Sequence, residues 1–165
     1  MNQKNRELIE AVCRDDIEPV RKLLDAGCDP NLCDEDGRSL LALAIRHNSS
    51  EQMVRMLLSC GADIFWKTPE GVGLLDEAVE KNRTDLAKLL MEYGIDPSVT
   101  ARESGMTALM LAASFDYIEM MELLYEKGAD IFAVDEMGLS AADYARKLGR
   151  KRAKEWLDKK IANPF

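Results

Sequence analysis

The chain has 165 residues, of which 47% are hydrophobic and only 6% are aromatic. This length and composition suffice for one modest domain with a buried core, and they favour stacked helices over sheets. The formal charge of −8 argues against nucleic acid as the main partner, because phosphate binding needs cations clustered along the docking face.

Targeting and membrane signals are not found in the sequence. The opening MNQKNRELIE has no apolar core, and no segment approaches a run of about 18 apolar residues. We therefore expect a cytoplasmic protein without a membrane partner, and we expect it to be a monomer.

The first 35 residues predict an N-terminal cap unit. Two helices are expected, over about residues 3–14 and 17–26, with Pro19 in the first turn of the second, where its missing N–H costs little. The polar lead of residues 2–6 suits an end that faces outward from a stack.

Three internal repeats follow, each predicted to contain two short helices. Residues 105–130, GMTALMLAASFDYIEMMELLYEKGAD, show the pattern most clearly, with apolar residues spaced to form one stripe on each helix. Thr107 is expected to cap the first helix, and Gly128 is expected to end the second in a left-handed conformation. The three repeats cover residues 36–70, 71–104 and 105–137.

Two interleaved series of glycines give the period of the repeat. Glycines before the first helix lie 34, 34 and 33 residues apart, and glycines after the second helix lie 34, 33 and 34 residues apart. Such a period, with two helices and a turn per unit, is typical of a solenoid whose units bury their apolar faces against their neighbours. The glycines are Gly37, Gly71, Gly105 and Gly138 in the first series, and Gly27, Gly61, Gly94 and Gly128 in the second.

The last unit, residues 138–165, predicts a C-terminal cap whose two helices are separated by Gly149. It carries eight basic and three acidic residues, which gives it a charge of +5 and leaves −13 for the rest of the chain. We interpret the cations as a solvated face; the alternative is that residues 149–152 form a nuclear-localisation signal or a patch for an acidic partner. The residues expected to face the core are Leu139, Ala142, Ala145 and Leu148.

The repeat reads G-x-[ST]-x-L-x-x-A, then LL-x-x-G-x-D, then about ten residues to the next glycine. This pattern resembles the ankyrin repeat over essentially the entire chain. The first-helix motif departs from the family's Thr-Pro-Leu-His, because no unit keeps the Pro or the His. The resemblance implies a mainly α fold: a single ankyrin-repeat solenoid over residues 1–165, with stacked helix-turn-helix units joined by β-hairpin loops.

The resemblance also implies a function. In ankyrin proteins the loops, called fingers, and the inner first helices form a concave face, so a protein–protein interaction module without cofactor, metal or catalytic residues is expected. Since most of the chain is acidic, we expect a partner with a basic contact surface. The predicted partner-binding residues are Arg38, Arg46, His47, Trp66, Lys67, Glu70, Glu80, Lys81, Met106, Phe115 and Met137.

Three alternatives stay open. The protein could be a stoichiometric inhibitor or accessory, immunity-like protein of one enzyme, whose basic active-site rim its acidic face would cover. A more remote alternative is an enzyme, based on Asp76, Glu77 and Glu80, although nothing in the sequence supplies a nucleophile or an oxyanion hole. Trp66 and Phe115 are either exposed anchors for a partner or packed against neighbouring repeats.

Four cysteines and a single histidine, His47, could suggest a metal site. The cysteine spacings contain no C-x-x-C, and His47 has no second histidine with which to form a ligand pair, so zinc is not expected. Cys28 and Cys60 are interpreted as small buried hydrophobes in a reducing compartment.

Overall fold

The computed structural model describes residues 2–163, and Met1, Pro164 and Phe165 lie outside the described residues. Within that range the chain forms ten α-helices, arranged as five successive helix–turn–helix pairs. The chain divides into two compact parts, each larger than one repeat. The part that ends at Thr68 is called the first unit below, and the part that begins at Pro69 is called the second unit. The helices are α1 (Gln3–Cys13), α2 (Ile17–Asp25), α3 (Leu40–Arg46), α4 (Glu51–Ser59), α5 (Leu74–Glu80), α6 (Thr84–Glu92), α7 (Ala108–Ser114), α8 (Ile118–Glu126), α9 (Ala141–Lys147) and α10 (Lys151–Ala162).

Hydroxyl caps fix the start of several first helices. The hydroxyls of Ser39, Thr107 and Ser140 accept a hydrogen bond from the N–H three residues later, at 3.2, 3.3 and 3.3 Å. Each bond satisfies a backbone donor that has no partner within the helix. Gly128, two residues after the end of α8, has a φ of +101°, which is left-handed. The expected roles of Thr107 and Gly128 are thereby confirmed.

In the first unit, α1 packs against α2 and α3, and α4 packs against α2 and α3. The turn between α3 and α4 is one residue longer than the equivalent turns of the other pairs. Its Ser49 is buried, and the Ser49 hydroxyl donates to the Val12 carbonyl at 3.0 Å. Ser50 donates through both its N–H and its hydroxyl to the Asp15 carboxylate. The longer turn therefore ties the repeat of residues 36–70 to the N-terminal cap unit.

In the second unit, the first helices α5, α7 and α9 pack in series, and so do the second helices α6, α8 and α10. Leu109, Ala112 and Ala113 of α7 are fully buried between these layers. The small alanine side chains allow the neighbouring helices to approach closely.

The fingers, which join one helix pair to the next, are held by backbone hydrogen bonds. Cys33 pairs with Ser39, and Val134 pairs with Ser140, each in a single antiparallel bridge. In the second unit, the Glu136 N–H also donates to the Ser104 carbonyl of the preceding finger at 3.0 Å. These hydrogen bonds hold the backbone of the fingers in place, and with it the side chains that the fingers carry.

Two sequence-based expectations about burial are wrong. Leu148 does not face the core, because α9 ends at Lys147 and Leu148 occupies the exposed cap position. Cys60 is exposed rather than buried, because it lies beyond the last residue of α4, and Cys28 is half-buried. All four cysteines are free thiols.

Candidate protein-binding surfaces

In the first unit, the predicted Arg38 stands on the finger before α3. Its guanidinium lies 2.8 Å from the Asp36 carboxylate and 3.6 Å from that of Asp34. The Asp34 carboxylate also accepts from the Arg38 N–H at 2.8 Å. Arg38 is therefore locally neutralised and held against its own finger, which leaves little free positive charge for a partner.

The other predicted residues of the first unit lie at two places. Arg46 and His47 lie at the C-terminal end of α3, where Arg46 is half-buried and His47 is exposed. Trp66 and Lys67 lie on the following finger, where Trp66 is half-buried and Lys67 is exposed. Trp66 is neither a fully exposed anchor nor a core residue, so part of its surface is available for contact.

In the second unit, three predicted residues lie at the ends of first helices. Glu80 is the last residue of α5, Lys81 follows it, and both are exposed. Phe115 follows the last residue of α7, is 41% exposed, and stacks on Tyr117 with ring centroids 5.3 Å apart. Phe115 is therefore an aromatic side chain with one face supported and part of its surface open to solvent.

The remaining predicted residues lie on the fingers of the second unit. Glu70 is exposed, and Met106 is half-buried with its sulfur 3.8 Å from a guanidinium nitrogen of Arg102. Met137 is 78% exposed at the tip of the last finger. A large apolar side chain so exposed on a hydrogen-bonded loop can be buried only by another molecule.

Two exposed phenylalanines are missing from the predicted set. Phe65 and Phe132 occupy the place that Asn31 has in the first finger, and they are 67% and 59% exposed. The Asn31 amide donates to the Gly61 carbonyl at 3.2 Å and accepts from the Asp63 N–H at 2.6 Å, which joins two repeats. A phenylalanine cannot make these bonds. The replacement of asparagine by an aromatic residue at this place in the repeat is therefore the sequence signal that could have identified Phe65 and Phe132 as binding candidates.

Asp135 organises the last finger. One carboxylate oxygen accepts from the N–H groups of Met137 and Leu139 at 2.9 and 2.8 Å, and the other accepts from the Tyr144 hydroxyl at 2.6 Å. The Tyr144 hydrogen bond, together with those of the backbone, holds the pKa of Asp135 below its usual range. The same bond raises the pKa of Tyr144 to about 12.

We predict a distinct alkaline stability profile for Tyr144→Phe. Because the pKa of Tyr144 is raised from 10.0 to about 12 by folding, its stabilising effect is complete below pH 10 and is lost between these two values. Because the pKa of Asp135 is lowered by folding, its contribution is lost as the pH falls through the acid range. Urea unfolding of the wild type and the variant should therefore differ most between these limits and converge above about pH 12.

The exposed Tyr93, at the end of α6, supplies the matched control. Tyr93→Phe leaves the Asp135–Tyr144 bond intact, so it should not reproduce the change caused by Tyr144→Phe. If Tyr144→Phe and Tyr93→Phe gave the same profile, the Asp135–Tyr144 bond would have no role in stability.

Asp76, considered as a catalytic carboxylate, has a structural role in the second unit. It accepts from the Gly73 N–H at 2.8 Å and pairs with the Arg102 guanidinium at 3.2 Å, with both side chains largely buried. Burial raises the pKa of Asp76, and the Gly73 N–H and the Arg102 charge oppose that rise. These contacts cap the start of α5 and join it to the next finger.

The described residues form neither a metal site nor a membrane span. No group of three His, Cys, Asp or Glu side chains in residues 2–163 is arranged to hold a metal ion. None of the helices α1–α10 is both long and apolar enough to cross a bilayer. Burial, followed by the nearby Asp34 charge, raises the thiol pKa of Cys13 and of Cys33, so both favour the unreactive protonated form.

Comparison with known families decides the classification. A model described as ankyrin repeats in three copies matches residues 8–101, which is more than half of the chain. The chain belongs to the ankyrin repeat family. A second model, of ankyrin repeats in many copies, matches residues 99–145. The ankyrin repeat is in general a protein–protein interaction module and not an enzymatic fold.

Several ankyrin repeat proteins are similar to the chain. It is 35% identical over 140 residues to an ankyrin repeat-containing protein of Treponema pallidum, covering 84% of this chain and 46% of that protein. It is 32% identical over 124 residues to an ankyrin repeat protein of fowlpox virus, covering 75% and 28%. It is 30% identical over 125 residues to the B-cell lymphoma 3 protein homolog of Mus musculus, covering 74% and 28%. The chain thus spans less than half the length of these relatives.

Proposed function

We propose that this ankyrin repeat protein binds one protein partner through the finger and first-helix residues that each unit presents. The observation that carries the proposal is the set of large apolar side chains exposed on hydrogen-bonded fingers, Met137 foremost. Burial of such side chains by a partner is favourable, and the hydrogen-bonded backbone that carries them needs little ordering on binding. The protein is proposed to act as a monomer in the cytoplasm, as a binding module rather than an enzyme.

The partner is proposed to present a basic contact surface. Residues 1–137 carry a net charge of −13, which attracts cations over a distance of about one Debye length. An inhibitor of one enzyme is the second candidate, because the same charge would cover a basic active-site rim. Capture of the native partner, followed by an activity assay of that partner with increasing protein, separates an adaptor from an inhibitor.

Association with the native partner should depend on salt. The acidic body steers a basic partner during diffusion, so the association rate should fall as ionic strength rises to the physiological range, where the Debye length is about 8 Å. Stopped-flow or surface-based kinetics at several salt concentrations would measure this. An association rate that does not change with salt would exclude electrostatic steering and the basic partner surface.

Trp66 and Phe115 should contribute to affinity. Replacing either with alanine should weaken partner binding by about 2 kcal/mol if the ring is buried by the partner. The melting temperature and the affinity are measured on the same variants. Tyr93→Ala is the control, because Tyr93 is an exposed aromatic residue that follows α6, away from the first helices. A lowered melting temperature with unchanged affinity would show that these rings pack within the protein and that the partner docks elsewhere.

A further inference from the structure

Two apolar side chains are exposed just beyond the ends of adjacent first helices in the second unit. Phe115 follows the last residue of α7 and is 41% exposed, and Leu148 follows the last residue of α9 and is 49% exposed. The corresponding residue of the preceding repeat is Lys81, which is polar and exposed. The last two repeats therefore replace a solvated position with apolar surface.

Hydrogen bonds join the turns that carry these residues. The Arg150 guanidinium donates to the Ser114 carbonyl at 2.7 Å, and the Ala153 N–H donates to the Asp116 carboxylate at 2.7 Å. Phe115 is further supported by its stack on Tyr117. The turn after α7 is thus hydrogen-bonded to the segment that follows α9, and we call these two turns, with Phe115 and Leu148, the turn patch.

Basic side chains frame the turn patch. Residues 146–154 contain six basic residues and no acidic one. Arg146 pairs with Asp143, and Lys154 pairs with Asp158, at 3.0 and 2.7 Å. The other four are exposed, and within residues 2–163 none of them forms an ion pair with a carboxylate: Lys147, Arg150, Lys151 and Arg152.

We propose that the turn patch docks an acidic protein segment that carries an aromatic or leucine side chain. The apolar side chain would cover Phe115 and Leu148, and the carboxylates would meet the four cations. This surface is additional to the proposed function and does not rest on it, although Phe115 is named in both proposals. A cap that is merely solvated explains the cations but not the exposed phenylalanine and leucine, whose burial would be favourable.

Charge complementarity favours a short acidic segment over a long polyanion. The rest of the chain carries −13, so nucleic acid extending beyond the patch would be repelled by the body. A short segment meets only the local positive charge. One face of the Phe115 ring is already occupied by Tyr117, and Leu148 has no ring, so the patch offers little for base stacking.

The test uses a fluorescein-labelled, glutamate-rich peptide that carries one Phe and one Leu, with fluorescence anisotropy as the readout. Phe115→Lys places the side chain of Lys81 at the equivalent position, so the fold should tolerate it. The substitution adds positive charge, yet it should weaken peptide binding about tenfold by removing the apolar contact. Lys151→Glu with Arg152→Glu should also weaken binding, whereas Lys88→Glu on α6 should have no effect.

A second peptide, with serine in place of the Phe and the Leu, tests whether the apolar side chains of the first peptide make the proposed contact. It should bind the wild type weakly and should not distinguish Phe115→Lys from the wild type. Equal or tighter binding of the glutamate-rich peptide by Phe115→Lys would overturn the proposal. Tighter binding of single-stranded DNA or of anionic phosphatidylserine vesicles than of the peptide would also overturn it. Loss of native-partner capture by Trp66→Ala tests the proposed function separately.

Discussion

Gly71→Ala is expected to destabilise the second unit by more than about 3 kcal/mol, a large effect for a single methyl group. The φ of Gly71 is +83°, where an L-residue is strained by about 1–2 kcal/mol. The new Cβ would also lie 1.9 Å from the carbonyl oxygen of Ala101 and 2.4 Å from its carbonyl carbon. Both are backbone atoms of the next finger, so relief requires the two fingers to separate.

Substitutions at two other glycines distinguish the cost of backbone strain from the cost of a steric clash of the new Cβ. Gly138 has a φ of +73° and open space around it, so Gly138→Ala should show only the backbone strain. Gly105 has a φ of +71° and would place its Cβ 3.1 Å from the Glu136 nitrogen, so Gly105→Ala should be intermediate. Urea unfolding should rank the losses in the order Gly71, Gly105, Gly138. Equal losses at Gly71 and Gly138 would show that the fingers are not in close contact at Ala101.

The periodicity of the sequence reveals the repeats and their helices but not this difference between glycines. Gly37, Gly71, Gly105 and Gly138 are equivalent in the pattern, and all have positive φ. What differs is the neighbouring finger. Ala101 lies in the finger between Gly94 and Gly105, which has one residue more than the other fingers. The backbone of that finger contacts Gly71. Such a contact depends on coordinates rather than on the spacing within one repeat.

The candidate surface is predictable only in part, for a related reason. The pattern places residues on fingers and helix ends, but exposure there depends on the residue at which each helix stops. Leu148 fits an apolar stripe by spacing, yet it lies one residue beyond α9 and is exposed. Trp66 and Phe65 are adjacent on one finger, and only the structure shows that Phe65 is the more exposed of the two.

Leu109→Ala is expected to cost about 2–5 kcal/mol. Leu109 is fully buried in α7, which packs against α5, α8 and α9. Truncation removes apolar contact and leaves a cavity that these surrounding helices can fill only partly. Because each repeat is stabilised mainly by its neighbours, the loss should lower hydrogen-exchange protection in all four helices and not in α7 alone.

Leu148→Ala is the matched control for this prediction, since it makes the same chemical change on an exposed side chain of the same unit. It should alter stability by no more than about 0.5 kcal/mol. Urea unfolding and hydrogen exchange of both variants compare the effect of the same Leu→Ala change at a buried and at an exposed position. Similar losses in the two variants would mean that α7 does not form the centre of the second unit. A loss of protection confined to α7 would instead mean that its neighbours are stable without it, contrary to the coupling expected between adjacent repeats.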